Sequence, residues 1–169
     1  MPFTPFHMGP GVAIKALLHG SFSLTVFGWT QILIDLQPLF VLLRGTGKLH
    51  GLSHTYLGAA ALALLAALSG KFLAERGLAI LAASVPRAPR VPRISWPVAF
   101  ASAFIGAVMH IVLDSIMHAD MRPWYPLTNA NGLLGTLSYA QLHQLCLFSG
   151  LLGALAYGGG VLWLVRRNS

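Results

Sequence analysis

The chemistry of this sequence resides in histidines and aspartates that recur at helical spacing inside apolar segments. In the run His110-Ile-Val-Leu-Asp114-Ser-Ile-Met-His118, a polar side chain recurs every four residues, so a helix would stack all three on one face. Imidazole nitrogens and a carboxylate are ligands that a borderline divalent ion such as zinc needs. We predict a metal-binding face here, and the structural alternative is a set of hydrogen bonds between helices.

A second candidate pair joins two distant positions, His7 and Asp35. They lie at similar distances on either side of a plausible turn at Gly20-Ser21. A hairpin with 8–19 as a short re-entrant helix would therefore bring them level. A carboxylate inside an apolar segment is costly to bury and is by default a sign of function. Pairing of Asp35 with Lys48 is the simpler alternative.

A third pair, His50 and His54, precedes the next apolar segment and is one turn apart if that stretch is helical. The ends of three segments then present one set of candidate metal ligands at a similar depth. The set comprises His7, Asp35, His50, His54, His110, Asp114 and His118. A transport path would need ligands at several depths, so their grouping at one end favours a fixed site.

Catalytic roles are predicted for three side chains near this set. Asp35 or Asp114 would bridge two ions, and whichever carboxylate is less engaged would accept a proton. Arg122, in the run Asp120-Met-Arg122-Pro-Trp124-Tyr125, is a candidate clamp for a phosphate group. Its alternative role is that of an anchor at the membrane interface.

Composition restricts the class of protein. Of 169 residues, 56% are hydrophobic and 9% are charged, against about a quarter charged in an average soluble domain. The net charge of +7 is concentrated beside apolar segments, which is typical of contact with anionic headgroups and argues against nucleic acid as a partner. The single cysteine, Cys146, excludes an internal disulfide.

Four segments are long and apolar enough to cross a bilayer of roughly 30 Å. They are predicted at 22–43, 56–72, 96–118 and 145–165. Together with the short re-entrant helix near the N-terminus, they predict an all-α, polytopic membrane helical bundle that forms a single domain over 1–169. The two main connecting segments are 74–95, which is basic and rich in proline, and 119–144, which is polar and rich in turn residues.

The basic residues predict the orientation of the bundle. Segment 74–95 and the tail Arg166-Arg167 carry clustered bases, and such clusters stay on the cytoplasmic side of a membrane. Two spans separate them, so the two signals agree, although Arg44 and Lys48 count against them. We expect a multi-pass protein of the inner (cytoplasmic) membrane, with segment 119–144 and the metal site on the periplasmic or extracytoplasmic side.

Three elements of the sequence resemble a known family. The opening Met1-Pro-Phe-Thr-Pro-Phe-His7, the element His50-Gly-Leu-Ser-His54-Thr and the His110-x-x-x-Asp114 helix are similar to the bacterial membrane-bound metal-dependent hydrolases. This group includes a LexA-regulated inner-membrane protein. It resembles, more remotely, the all-helical fold of zinc-dependent phospholipase C and P1-type nucleases, in which up to three zinc ions cleave phosphoesters.

The resemblance implies a ligand set. The ligands of the more carboxylate-rich metals in that fold match His7, Asp35, His54, His110 and Asp114. His118 and His143 would fall near the remaining metal. The soluble enzymes complete that last site with a carboxylate one turn after the final histidine, where this chain has Leu147. The resemblance therefore implies one or two zinc ions rather than three.

Residues and resemblance together predict a membrane-embedded, metal-dependent hydrolase. Its expected reaction is phosphoester cleavage on a lipid or lipid-linked phosphate at the level of the headgroups, with membrane lipid as the surrounding partner. Two alternatives come from other classes of protein. One is a divalent-metal transporter, and the other is a non-catalytic membrane protein whose metal only joins helices.

Overall fold

The computed structural model describes residues 5–84 and 93–168, and within these ranges every regular element is helical. A 3₁₀ turn, Pro5–His7, leads into α1 (Met8–Leu18), and a second, His19–Ser21, leads into α2 (Leu24–Arg44). A third, Leu52–His54, precedes α3 (Tyr56–Ala83), which is followed by α4 (Trp96–Met117) and α5 (Tyr139–Asn168). The predicted all-α class is confirmed.

Four of the helices, α2 to α5, are long and apolar enough to cross a membrane. Helix α1 has 11 residues and covers only about 16 Å at 1.5 Å per residue, roughly half of a bilayer. The chain then turns through His19–Ser21 and returns as α2. This is the predicted arrangement of four long apolar helices and one short N-terminal helix.

Helix α3 is longer than predicted, because it continues to Ala83 instead of ending near residue 72. No proline occurs between Tyr56 and Pro86. An ion pair between Lys71 and Glu75 (Nζ–Oε1 2.6 Å) supports the helical turn that contains it. The first part of the predicted connecting segment 74–95 is therefore helical. Residues 85–92, at its centre, lie outside the described ranges.

Helix α5 begins at Tyr139, six residues before the predicted boundary at 145. Ser138 and Gln141 satisfy each other's backbone N–H groups, as in a capping box. The Ser138 N–H donates to Gln141 Oε1 at 2.9 Å, and the Gln141 N–H donates to Ser138 Oγ at 3.3 Å. The predicted outer segment 119–144 therefore ends at residue 138.

Helices α2, α3 and α4 form a core in which small side chains let the backbones approach closely. Seven of its buried residues are alanines: Ala59, Ala63, Ala66 and Ala67 of α3, and Ala99, Ala103 and Ala107 of α4. Lipid tails supply no hydrophobic force between helices, so close packing and polar contacts hold such a bundle together. The Ser23 N–H donates to Ser102 Oγ at 2.8 Å, which joins α4 to the start of α2.

Helix α1 packs chiefly against α5, across a crossing that only small residues permit. A Cβ atom added to Gly9 would collide with the carbonyl of Cys146, and one added to Gly153 would lie 2.6 Å from the Cα of Ala13. Close approach of this kind is typical of membrane helices that cross at glycines. It fixes the start of α1, and with it His7, against the bundle.

The segments that connect α2 to α3 and α4 to α5 meet at one end of the bundle. The Tyr56 N–H donates to the Pro123 carbonyl at 2.8 Å, which ties the two segments together. At the opposite end, the Ile94 N–H donates to Glu75 Oε1 at 2.7 Å and joins the start of α4 to α3. We call the first of these the ligand end, because the site described below lies there.

Candidate metal centre

All seven predicted ligands lie together at the ligand end. Among the described residues, three groups of side chains bring ligand atoms within 4.8 Å of one another. The groups are His7 with His110 and Asp114, Asp35 with His54 and His110, and His50 with Asp114 and His118. Because His110 and Asp114 each belong to two groups, the three form one continuous cluster.

Short 3₁₀ turns that precede helices place two of these ligands. His7 ends the 3₁₀ turn before α1, and His54 ends the one before α3. Thr55 fixes the turn Leu52–His54, because its hydroxyl donates to the Leu52 carbonyl at 2.9 Å and accepts from the Gly58 N–H at 3.0 Å. The start of α3 is thus capped by the residue that follows the histidine.

Four ligand atoms surround what we call the inner position: Asp35 Oδ1, His54 Nε2, His110 Nε2 and Asp114 Oδ2. The two histidine nitrogens are 3.3 Å apart. Asp114 Oδ2 is 3.2 Å from His110 Nε2 and 3.5 Å from His54 Nε2, and Asp35 Oδ1 is 3.5 Å and 3.7 Å from the same two atoms. Donors held at 2.0–2.2 Å by tetrahedral zinc are about 3.3–3.6 Å apart, and these five distances fall close to that range.

The charges at the inner position fit a divalent ion as well. Asp35 and Asp114 are each 4% exposed, and two carboxylates buried in an apolar bundle are unfavourable without a compensating charge. Two carboxylates, two neutral imidazoles and one divalent cation sum to a net charge of zero. The residues present therefore match such an ion in spacing, donor type and charge.

Gln31, which sequence reasoning missed, orients one of these histidines. Its Nε2 donates to the Gly106 carbonyl at 2.9 Å, so its Oε1 faces His110 Nδ1 at 2.7 Å. His110 Nδ1 must then carry the proton, which leaves the Nε2 lone pair directed at Asp35 and Asp114. Partners of this kind fix the tautomer of metal-binding histidines. An amide one turn before Asp35 in an apolar segment was the signal that could have identified it.

His54 has a similar partner at its other ring nitrogen. Its Nδ1 lies 2.8 Å from Ser53 Oγ, and Gln37 Oε1 accepts from the Ser53 N–H at 2.9 Å. Burial alone would lower the pKa of His54, but the carboxylates of Asp114 and Asp35 outweigh it and raise that pKa. The same two carboxylates that stabilise a proton on His54 would stabilise a metal ion at the inner position.

The second position lies on the other side of Asp114. Asp114 Oδ1 is 3.3 Å from His7 Nε2 and 3.9 Å from His118 Nε2. His7 is 4% exposed, yet among the described residues neither of its ring nitrogens has a hydrogen-bond partner of acceptable geometry. A buried polar group without a partner is rare and costly. The two oxygens of Asp114 thus face two different pairs of histidines, as in a carboxylate that bridges two ions.

His50, a member of the third group, contacts Asp120 on the side of the connecting segments. His50 Nδ1 lies 2.8 Å from Asp120 Oδ1, and the His50 ring stacks on His118 with centroids 4.3 Å apart. Burial opposes ionisation of Asp120, but the bond with His50 outweighs it, so the pKa of Asp120 is lowered. Burial lowers the pKa of His118, which favours the neutral imidazole that metal ligation requires.

Arg122 and His143 lie outside this cluster. Arg122 is exposed and donates from Nη1 to Asn129 Oδ1 at 3.3 Å. His143 Nδ1 donates to the Tyr139 carbonyl at 2.8 Å, and its ring packs edge-on against Phe6. His143 belongs to none of the described groups that could hold a metal ion.

Comparisons with known proteins do not assign this chain to a class of protein. No family model, no curated protein and no solved structure matches this chain. The fold and the site define an all-helical protein with four helices able to span a membrane and buried histidine–aspartate clusters that could hold a metal ion.

Proposed function

We propose that this protein is a membrane-embedded metal-dependent hydrolase, specifically a phosphoesterase that acts on a lipid or lipid-linked phosphate. The position of Asp114 carries the proposal, because its two oxygens face histidines on opposite sides. Two adjacent metal positions are the arrangement that stabilises both the attacking and the leaving oxygen at phosphorus. The resemblance of three sequence elements to the bacterial membrane-bound metal-dependent hydrolases also supports the proposal.

Each protein group has a proposed task in this reaction. When bound, a divalent ion would polarise a phosphoryl oxygen and lower the pKa of a water toward about 7. Asp35 or Asp114, the two carboxylates of the inner position, is the proposed proton acceptor. Arg122, on the segment that also carries Asp120, is the proposed phosphate clamp once a substrate is present.

We infer that the metal is zinc, with one or two ions bound. Imidazole and carboxylate donors at tetrahedral spacing suit zinc better than magnesium or calcium, which prefer oxygen ligands in larger numbers. We also infer an inner-membrane location with the ligand end on the periplasmic or extracytoplasmic side. The support is the distribution of bases, since Lys71, Arg76 and Arg93 lie toward the other end.

Transport is the less favoured function. A path for ions needs ligands through the depth of the membrane. Among the described residues, the groups that could hold a metal share members and lie at one end. A purely structural metal that joins α1, α2, α3 and α4 is the remaining alternative, and the experiment below separates it from an enzyme.

The test combines elemental analysis with a phosphoesterase screen on protein purified without chelators, in detergent and in lipid. We expect one to two equivalents of zinc and cleavage of a phosphoester. His110→Ala and Asp114→Ala should abolish both, because each removes a ligand from the inner position, whereas the control His19→Ala should keep both. Less than about a tenth of an equivalent of metal would overturn the metal site. Full metal content without cleavage of any phosphoester would identify a structural metal.

A further inference from the structure

An apolar cavity of about 540 Å³ lies beside the metal centre. Its volume is in the range of ligand pockets, roughly 300–1,000 Å³. His7 and Asp35 form part of its wall, so the cavity is continuous with the metal site. Most of the remaining wall is apolar or small: Met8 of α1, Gly28, Trp29 and Ile32 of α2, and Gly70 and Leu73 of α3.

The cavity runs along the membrane-spanning direction. On α2 its lining extends from Leu24 to Asp35, a distance of about 17 Å at 1.5 Å per residue. This is about half of a hydrocarbon core of roughly 30 Å, the depth of one leaflet. Ile32 is 40% and Leu73 is 51% exposed, so the wall opens sideways toward the surrounding lipid.

Two glycines keep this cleft open. A Cβ atom at Gly28 would lie 3.2 Å from the terminal carbon of Met8, and one at Gly70 would lie 2.8 Å from Cδ1 of Trp29. The indole N–H of Trp29 donates to Ser69 Oγ at 2.9 Å, which fixes the ring as a wall. Larger side chains at either glycine would fill the space beside the metal centre.

We propose that this cleft holds one hydrocarbon chain of a membrane lipid, which enters sideways from the bilayer while its phosphate lies at the metal centre. The assignment of the phosphate rests on the proposed function, but the assignment of the chain rests on the cleft alone. The cleft is apolar along a depth that matches one leaflet, and its polar end is the metal site. A water-soluble phosphoester would leave this apolar space unused.

Photo-crosslinking tests the occupant directly. The probe is a phosphatidic acid with a diazirine in the middle of one acyl chain, in vesicles of phosphatidylethanolamine and phosphatidylglycerol that contain the purified protein. Mass spectrometry would compare label on the cleft residues Trp29 and Leu73 with label on Leu155, an exposed residue of α5. We expect Gly28→Leu to reduce this ratio by about fivefold or more, because its side chain fills the cleft.

Gly77→Leu is the matched control, since a Cβ at Gly77 has nothing within 4 Å. Ile32→Trp, which narrows the opening from an exposed position, should lower the ratio even if Gly28→Leu fails to fold. An unchanged ratio in the folded cleft variants would overturn the proposal. Label in the cleft without cleavage of any phosphoester would support the chain site and refute the hydrolase. Cleavage of a long-chain lipid at an unchanged rate in both Gly28→Leu and Ile32→Trp would support the hydrolase and refute the chain site.

Discussion

Asp114 is the residue that joins the two positions of the site, since each of its oxygens faces a different pair of histidines. Gln31 and Ser53, which contact the histidines from outside, act by orienting rather than by binding. Gln31 holds His110 in one tautomer, and Ser53 contacts the outer nitrogen of His54. In metal sites, removal of such a partner typically weakens metal affinity by about 10–100-fold.

Replacement of Gln31 tests this orienting role. In Gln31→Leu, His110 loses the acceptor for its Nδ1 proton, so both neutral tautomers become accessible and fewer molecules present a free Nε2. We expect zinc affinity to fall about 10–100-fold, measured by competition with a fluorescent chelator, while the helical content by circular dichroism is unchanged.

Gln144→Leu is the control, because Gln144 is an exposed residue of α5. A Gln31→Leu variant with the affinity of the unmodified protein would mean that His110 needs no partner. Affinity restored by Gln31→Glu, which keeps an acceptor at this position, would support the proposed tautomer.

The sequence predicted which candidate ligands lie together but not their hydrogen-bond partners, and the reason is physical. His110, Asp114 and His118 follow a helical period, and a polar residue in an apolar span stands out in any sequence. The bond between Gln31 and the Gly106 carbonyl joins residues 75 positions apart. A backbone carbonyl leaves no mark in a sequence, so this contact requires the packed structure.

At the scale of elements, α1 is held to the bundle by α5, although the turn before α1 supplies a candidate ligand and α5 supplies none to the described groups. The contact depends on glycines that permit close approach of the two backbones. Close packing and lipid entropy, rather than hydrophobic burial, stabilise such contacts in a bilayer. His7 therefore depends on a helix that does not itself carry a residue of the cluster.

Enlarging Gly9 should separate the two positions of the site. A side chain there would collide with the Cys146 carbonyl, so Gly9→Leu should displace α1 and move His7 away from Asp114. We expect the second position to lose its ion while the inner position keeps one, which elemental analysis would detect as a drop toward one equivalent per chain.

The matched control is Gly158→Leu, on the partner helix α5, where an added Cβ meets nothing within 4 Å. Loss of all metal in Gly9→Leu would contradict this division into two positions. Unchanged metal content in a folded Gly9→Leu protein would show that His7 binds no ion.

Helix boundaries were less predictable than helix identity. Apolar length identified α2 to α5, whereas the start of α5 depends on one reciprocal bond pair between Ser138 and Gln141. The motif is visible in the sequence, but the polar residues around it had favoured a longer connecting segment. Helix α3 continues past residue 72 because no proline follows before Pro86 and the ion pair between Lys71 and Glu75 supports the turn at the predicted boundary.

For the whole molecule, the bundle has two different ends. The ligand end holds the cluster and the two joined connecting segments, and the other end holds the contact between Glu75 and the start of α4. Composition was sufficient to predict a membrane bundle, because an average soluble fold does not expose so apolar a surface. The assignment of each end to one side of the membrane stays a prediction from the positions of the bases.

Cysteine labelling tests that assignment. In a Cys146→Ala background, Ser84→Cys at the basic end and Asn131→Cys at the ligand end should react with an impermeant maleimide from opposite sides. We expect Asn131→Cys to be labelled in intact cells and Ser84→Cys only after lysis, because clustered bases stay in the cytoplasm. Labelling of Ser84→Cys from outside would invert the orientation and move the chemistry to the cytoplasmic side.

The packing of α1 on α5 also sets an order of maturation. Chains are synthesised from the N-terminus, so His7 is made before every other ligand, yet the helix that supports it follows all of them. A nascent chain that has released α4 already carries the four atoms of the inner position. The second position becomes complete only after α5 has entered the membrane and met α1. Metal loading is therefore expected to occur in two stages, with the first ion able to bind before the protein is finished.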